Sequence, residues 1–251
     1  MDEKDLEAVR HHLCPHHLPE PSEPIEHIAT TAERGYYRYG QTFIKRSLRE
    51  REFKVGYKGI HVPILGKERL QNEAASLLFI ASASNIPVPA LHGEFEFDGA
   101  YFVMTEYIEG EQMAQLDDNR KATVLREIKE HLDTFQGLTS TTTGGPSGIA
   151  IPPYRILRHH PTRSWSTQSS KGAEYVFCHN DLSQHNIIVD PQSLKINATI
   201  DWEYAGFYPP YFEAPFYQRP GPSVALDGEE NDECKLAEFL GLHGNEGHGK
   251  R

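Results

Sequence analysis

Residues 175–190 read YVFCHNDLSQHNIIVD, and residues 200–203 read IDWE. The β-branched run Asn186–Val189 predicts a strand. A turn at 190–193 and a second strand at 194–200 complete a predicted antiparallel hairpin. The entry of the first strand and the exit of the second lie at the same end of such a hairpin.

This end of the hairpin brings polar side chains together. Asn186 enters the first strand, Asp201 leaves the second, and Asp181 comes just before both in the chain. Carboxylate and amide oxygens are hard ligands that suit Mg²⁺, which keeps waters and bridges to substrate phosphates. The spacing therefore predicts a metal site, and the alternative is an ordinary polar turn beside a hairpin.

The composition excludes several classes of protein. With 25 Lys and Arg against 36 Asp and Glu in 251 residues, the formal net charge is −11, which argues against general nucleic-acid binding. The longest nearly apolar run, residues 74–83, is far shorter than the roughly 20 residues that span a membrane. The acidic start MDEKD lacks the pattern of a secretory signal.

The cysteines add to this picture. Cys14, Cys178 and Cys234 are widely spaced and predict neither a disulfide framework nor a zinc site. We therefore expect a cytoplasmic protein with no nucleic-acid or membrane partner. The sequence leaves a homo-oligomer open.

The remainder of the chain predicts an α+β protein of two lobes. Strands are predicted near 25–28, 36–39, 42–45, 94–97 and 100–104, and helices near 6–13, 67–84 and 118–136. The dipeptide Asp98-Gly99 predicts a tight hairpin turn. The Thr-, Gly- and Pro-rich residues 139–153 predict a linker or a mobile loop.

The segments at 175–190 and 200–203 resemble the catalytic loop and metal-binding segment of the aminoglycoside phosphotransferase and choline kinase family. This family is the small-molecule branch of the protein-kinase-like superfamily. The resemblance implies that Asp181 accepts the proton of the substrate hydroxyl or orients it, and that Asn186 and Asp201 hold Mg²⁺. His179, grouped here with the catalytic residues, would brace the loop.

Upstream elements follow the order that the resemblance implies. Lys45, at the end of the strand TFIK, would contact the α- and β-phosphates of ATP, and Glu73 on the next helix would fix it by an ion pair. The backbone carbonyl of Glu106 and the amide of Ile108 would meet adenine. Taken alone, Lys45 is also compatible with an edge-strand lysine, and Glu73 with a solvated helix glutamate.

The resemblance implies a protein-kinase-like, two-lobed α+β fold. The N-terminal lobe, residues 25–106, would hold a five-stranded antiparallel sheet with one packed helix. The C-terminal lobe, residues 107–251, would be mainly helical and carry the catalytic β-hairpin. Residues 1–24 would form an N-terminal extension.

Two features depart from the family pattern. The phosphate-covering turn at 30–35 has one glycine, so hydroxyls or other backbone amides would replace a glycine-rich cradle. The chain has only 50 residues after Asp201, where family members add several helices. The acceptor site is therefore reduced, borrowed from a partner chain, or built from the linker region at 139–173.

The sequence thus predicts an ATP- and Mg²⁺-dependent phosphotransferase that acts on a hydroxyl group of a small molecule. The alternative is a kinase-like nucleotide-binding or scaffold protein with little turnover. A protein kinase is disfavoured because Asp-Trp-Glu at 201–203 replaces Asp-Phe-Gly and no Ala-Pro-Glu follows.

Overall fold

The computed structural model describes residues 1–13, 16, 23–57, 59–160, 162, 164–172 and 174–242. The helices are α1 (Glu3–His12), α2 (Gly66–Ala83), α3 (Asp118–Gly137), α4 (Tyr154–Leu157) and α5 (Glu233–Phe239). The first seven strands are β1 (Glu26–Thr30), β2 (Arg34–Tyr39), β3 (Thr42–Ser47), β4 (Val55–Gly56), β5 (Gly59–Ile60), β6 (Leu91–Phe97) and β7 (Ala100–Glu106). The later strands are β8 (Glu111–Gln112), β9 (Thr139–Ser140), β10 (Tyr175–Cys178), β11 (Ile187–Val189), β12 (Ile196–Thr199) and β13 (Gly206–Tyr208).

A five-stranded antiparallel sheet forms the N-terminal lobe, in the order β1-β2-β3-β7-β6. Lys45 on β3 lies opposite Val103 on β7, so the two predicted segments share one sheet. The turn between β6 and β7 has positive φ at both Asp98 and Gly99, as a tight hairpin with the right-handed twist of its strands requires. The predicted sheet is confirmed.

Helix α1 packs against this sheet. Val9 is fully buried in a cluster with Tyr37, Phe95 and Phe102. Asp2 accepts a hydrogen bond from the Asp5 amide and so caps the first turn. The helical part of the extension at 1–24 is therefore part of the core of the lobe. Most of the loop expected after the helix, together with Cys14, lies outside the described residues.

Helix α2 is buried on a face that carries polar residues. Leu70, Ala74 and Leu77 are buried, but Leu78 is 56% exposed, so the apolar stripe is narrower than the leucine spacing suggests. The same helix buries Asn72 and Glu73. These polar side chains are inside because they bond to segments outside the helix, which satisfies their hydrogen-bonding groups.

The C-terminal lobe contains less helix than expected. The long helix α3 buries Val124, Ile128 and Phe135 in a cluster that also contains Phe177 and Trp202. Two three-stranded sheets, β13-β10-β9 and β12-β11-β8, make up much of the remainder. Ten of the chain's 17 prolines lie between residues 146 and 222, and proline interrupts helices because it lacks a backbone donor. The α+β class is confirmed.

The segment at 139–153, expected to be a linker or mobile loop, is instead fastened at several points. Strand β9 pairs with β10, and Gly144 exchanges two backbone hydrogen bonds with Phe207. The Ser147 hydroxyl donates to Asn72 Oδ1 at 2.7 Å, which ties the segment to α2. The Thr-, Gly- and Pro-rich composition of this segment therefore reflects tight turns and not a mobile loop.

Gly145→Ala is expected to lower the free energy of unfolding by about 2–4 kcal/mol. A Cβ atom at this position would lie well inside van der Waals contact of the buried Asn72 side chain, which is held by three hydrogen bonds. Urea denaturation would measure the change. The matched control is Gly137→Ala, because a Cβ there meets nothing within 4 Å. Equal stability of the two variants would contradict the prediction.

Candidate active site

A cleft of about 400 Å³ lies between the sheet, α2 and the catalytic hairpin. The residues assigned to the nucleotide site all line this cleft: Lys45, Glu73, Glu106 and Ile108. Asp201 lines it as well. Apolar side chains from both lobes face the same space: Ile28, Phe43, Leu77, Ile188 and Ile200. The cleft therefore has an apolar part and a charged part.

The link between the lobes presents backbone groups to this cleft. The Tyr107 amide donates to the Gln41 carbonyl, and the Glu106 amide donates to the Ala90 carbonyl, each at 2.8 Å. The Ile108 amide donates to no group among the described residues. An unpaired amide that lines a partly apolar cleft is suited to meet a hydrogen-bond acceptor on a planar ligand.

Lys45 is held between two carboxylates. Its Nζ donates to Glu73 Oε1 at 2.5 Å and also to Asp201 Oδ1. Burial, the largest influence, lowers the pKa of Lys45, but the two carboxylates offset it and the net pKa is raised. The lysine therefore stays charged, and the expected ion pair with Glu73 is present.

Asp201 follows β12 in the left-handed backbone region, with φ of 63°. This conformation is uncommon for a non-glycine residue and is found more often at functional sites. The Ile200 amide donates to the Asn186 carbonyl at 2.9 Å, which closes the open end of the hairpin of β11 and β12. The hairpin thus brings Asn186 and Asp201 together, as predicted.

The free oxygens at this end fit a magnesium ion. Asn186 Nδ2 donates to the carbonyl of Asp181 at 2.8 Å and to its carboxylate at 3.2 Å, which turns Asn186 Oδ1 away from them. Asn186 Oδ1 and Asp201 Oδ2 accept no hydrogen bond from the described residues. Among those residues no group of three or more His, Cys, Asp or Glu could hold a metal ion. Two oxygen ligands match Mg²⁺, which relies on waters and substrate phosphates for its remaining positions.

Asp181 lies in a partly buried position beside this end of the hairpin. Burial, the largest influence, raises the pKa of its carboxyl to about 7, and the Asp201 charge acts in the same direction. The nearby Ser223 hydroxyl lowers the pKa of Asp181. Ser223 Oγ forms no regular hydrogen bond with a described residue. The chain after β13 therefore reaches Asp181.

His179 is a brace and not a catalytic residue. It has no exposed surface, so it cannot touch a substrate, and this corrects its grouping with Asp181. Its Nε2 donates to the Ile200 carbonyl at 2.9 Å, and its Nδ1 accepts from the Asp181 amide at 3.3 Å. Burial, the largest influence, lowers its pKa to about 4, so the ring is neutral. His179 therefore joins the catalytic loop to the segment that carries Asp201.

Glu213 holds the catalytic loop, and no feature of the sequence indicates this role. Its carboxylate accepts hydrogen bonds from the His179 and Asn180 amides, and Arg155 donates to the Asn180 carbonyl at 3.2 Å. Asn180 has φ of 66°, so these bonds stabilise an unusual backbone. A single sequence carries no signal for such a contact, because the partners are 34 residues apart and follow no periodicity.

Glu213→Gln is expected to flatten the pH dependence of stability by about 1–3 kcal/mol. Burial, the largest influence, raises the pKa of this carboxyl to about 7. The unfolded chain therefore ionises at lower pH than the native protein. This stability contribution is full below pH 4.5 and is lost as the pH rises through about 7. Urea denaturation at pH 5 and pH 8 would measure it, with Glu130→Gln on the exposed side of α3 as control. An unchanged slope in Glu213→Gln would contradict the assignment.

Glu203 lies at the centre of a second buried charge cluster that the sequence did not indicate. It pairs with Arg34 of β2 and with Arg69 of α2. Arg69 also pairs with Glu33 at 3.1 Å, and Asn72 donates to the backbone carbonyl of Glu203 at the same distance. Glu203 thus anchors the segment that follows Asp201 to the N-terminal lobe.

Part of the chain that forms this site is similar to known proteins. Residues 155–219 match the model of a family described as the phosphotransferase enzyme family, APH. The match spans the catalytic loop, Asp201 and Glu213. No match was found among curated proteins.

Solved structures extend the similarity to most of the chain. A thermostable mutant of aminoglycoside phosphotransferase APH(4)-Ia, in a ternary complex with ADP and hygromycin B, is 15% identical with a TM-score of 0.52, and the alignment covers 84% of this chain and 74% of that one. A GDP complex of an aminoglycoside 2'-phosphotransferase-IIIa mutant is 12% identical with a TM-score of 0.53, over 89% and 78% of the two chains. The chain has the aminoglycoside phosphotransferase fold.

A third solved structure with this fold has a similar TM-score against this chain. A putative aminoglycoside phosphotransferase from Ralstonia eutropha is 13% identical with a TM-score of 0.52, over 83% of this chain and 67% of that one. At these identities the likeness establishes the kinase-like fold of this phosphotransferase class. No helix among the described residues has the length and hydrophobicity to cross a membrane.

Proposed function

We propose that the protein transfers the γ-phosphoryl group of ATP to a hydroxyl group of a small molecule in the cytoplasm, with Mg²⁺ held by Asn186 and Asp201. The observation that carries the proposal is the convergence of these two residues with Asp181 beside a cleft that Lys45 lines. Phosphoryl transfer depends on positioning and on charge stabilisation, and these residues can supply both.

The nucleotide would lie in the cleft with its base between the apolar side chains of the two lobes. The Ile108 amide and the Glu106 carbonyl would bind the edge of adenine. Lys45, kept charged by Glu73, would contact the phosphates. The apolar and charged parts of the cleft support this orientation.

Asp181 would act on the acceptor. Its carboxylate takes the proton of the substrate hydroxyl as the hydroxyl oxygen attacks the γ-phosphorus. The bond between the γ-phosphorus and the bridging oxygen breaks, and ADP leaves with its electron pair. When bound, Mg²⁺ neutralises the charge of the polyphosphate. His179 and Glu213 keep the loop in place.

A kinase-like nucleotide-binding or scaffold protein with little turnover is the second candidate. The observation that favours it is the segment after β13, which lies on the catalytic loop: Gln184 donates to the Tyr217 carbonyl at 3.1 Å, and buried Ser223 lies beside Asp181. An acceptor must share this side of the loop with that segment.

A phosphate-transfer screen distinguishes the two candidates. Purified protein is incubated with ATP and Mg²⁺ and with amino alcohols, aminoglycosides, sugars or hydroxylated natural products, and ADP release is measured. Asp181→Asn serves as the inactive control. ADP release that depends on an acceptor, and that occurs with the wild type but not with Asp181→Asn, supports the small-molecule kinase. Nucleotide binding without transfer to any acceptor supports the scaffold, and incorporation into protein substrates would indicate a protein kinase.

A further inference from the structure

Tyr36 shares a sheet face with Lys45. In the pairing of β2 and β3 these two residues lie directly opposite each other. Directly opposed residues of an antiparallel pair place their side chains on the same face, with Cβ atoms about 5 Å apart. Both side chains line the cleft. Tyr36 therefore reaches the nucleotide site from the strand that follows the glycine-poor turn.

The hydroxyl of Tyr36 lies at the charged end of the cleft. Arg34, Lys45 and Asp201 are the charged groups that act on it most strongly. The hydroxyl forms no hydrogen bond with a described residue, whereas the hydroxyl of the adjacent Tyr37 accepts one from Arg46 at 3.3 Å. Burial, the largest influence, raises the pKa of Tyr36, so the phenol keeps its proton and can donate.

The nearby arginines are already occupied. Arg34 pairs with Glu203 and lies 3.9 Å from Glu73, and Arg69 pairs with Glu33 and Glu203. Neither arginine lines the cleft. The turn at 30–35 holds one glycine, so its backbone cannot form a glycine-rich cradle. Among the described residues, Tyr36 thus offers an unused donor beside Lys45.

We propose that Tyr36 is a nucleotide-binding residue whose hydroxyl donates a hydrogen bond to an α- or β-phosphate oxygen. It supplies, from a side chain, a contact that backbone amides make in a glycine-rich turn. The inference rests on the proposed function, because it requires that ATP occupies the cleft with its phosphates at Lys45.

The test is calorimetric titration of the full chain with adenosine, AMP and ADP in the presence of Mg²⁺. Tyr36→Phe removes the hydroxyl and keeps the ring. We expect it to weaken ADP binding about tenfold, as for loss of a hydrogen bond to a charged group, and to change adenosine binding less than twofold. Tyr37→Phe, the adjacent residue on the opposite face, is the matched control and should bind all three ligands as the wild type does.

Each other outcome overturns the inference. Wild-type affinity for ADP in Tyr36→Phe would show that the hydroxyl does not contact phosphate. An equal loss of adenosine and ADP binding would assign Tyr36 to the base or to the shape of the cleft. If the wild type binds ADP with Mg²⁺ but Tyr36→Phe is normal, this inference fails alone. If the wild type binds none of the three ligands, the proposed function fails with it.

Discussion

Asp181→Asn is expected to lower turnover about 10²–10⁴-fold and to leave the affinity for ATP with Mg²⁺ within twofold of the wild type. The amide keeps the shape of the side chain but cannot accept the proton of the acceptor hydroxyl. Nucleotide binding should persist because Lys45 and Asp201, not Asp181, line the cleft. The measurements are ADP release with the acceptor found in the screen and a titration with ATP.

The control for this variant is Asp227→Asn, an exposed residue of the segment that covers the catalytic loop. It makes the same chemical change away from the cleft and should retain full turnover. Full transfer by Asp181→Asn would show that another group accepts the proton, or that positioning alone is enough.

Asp201→Ala is expected to remove the Mg²⁺ dependence of nucleotide binding and to reduce turnover by at least about 10³-fold. The carboxylate is one of two protein ligands proposed for the metal. Its loss also leaves Lys45 paired with Glu73 alone. Titrations with ATP, with and without Mg²⁺, would measure the effect, and thermal unfolding would verify that the variant folds.

Asp190→Asn provides the comparison for this second variant. Asp190 lies at the far turn of the same hairpin, where it accepts bonds from the Gln192 and Ser193 amides. Its replacement should leave Mg²⁺-dependent binding intact at a small cost in stability. Retention of Mg²⁺-dependent ATP binding by Asp201→Ala would refute the proposed metal site.

The sequence predicts those parts of the site that are local or follow chain order. Asp181 and Asn186 lie on one loop, and the hairpin brings Asp201, 15 residues after Asn186, back to them. The pair of Lys45 and Glu73 was expected from the family resemblance, and the structure pairs them at 2.5 Å. The geometry of the loop and the hairpin, in contrast, is encoded in residue patterns that a single sequence displays.

Contacts between distant segments could not be predicted in this way. Glu213 meets the catalytic loop from 34 residues away, and Arg34 meets Glu203 from 169 residues away. From the sequence alone, these charged side chains would be expected on the surface, because charged residues are rarely buried without a partner. Their partners lie too far away in the chain to be identified from a local pattern. The segment at 139–153 differs from the expected linker or mobile loop for the same reason, since its bonds to Asn72 and Phe207 depend on the tertiary fold.

The attachment of α2 to the C-terminal lobe bears on how the protein could be controlled. Asn72 donates to the carbonyls of Glu203 and Ala205, and Arg69 pairs with Glu203. Swinging this helix outward, a common way to switch a kinase-like protein off, would break these bonds and leave buried charges without partners, at a cost of several kcal/mol. These bonds hold α2 where Glu73 meets Lys45. Under the proposed function, the site would therefore need no movement of this helix to bring the ion pair together.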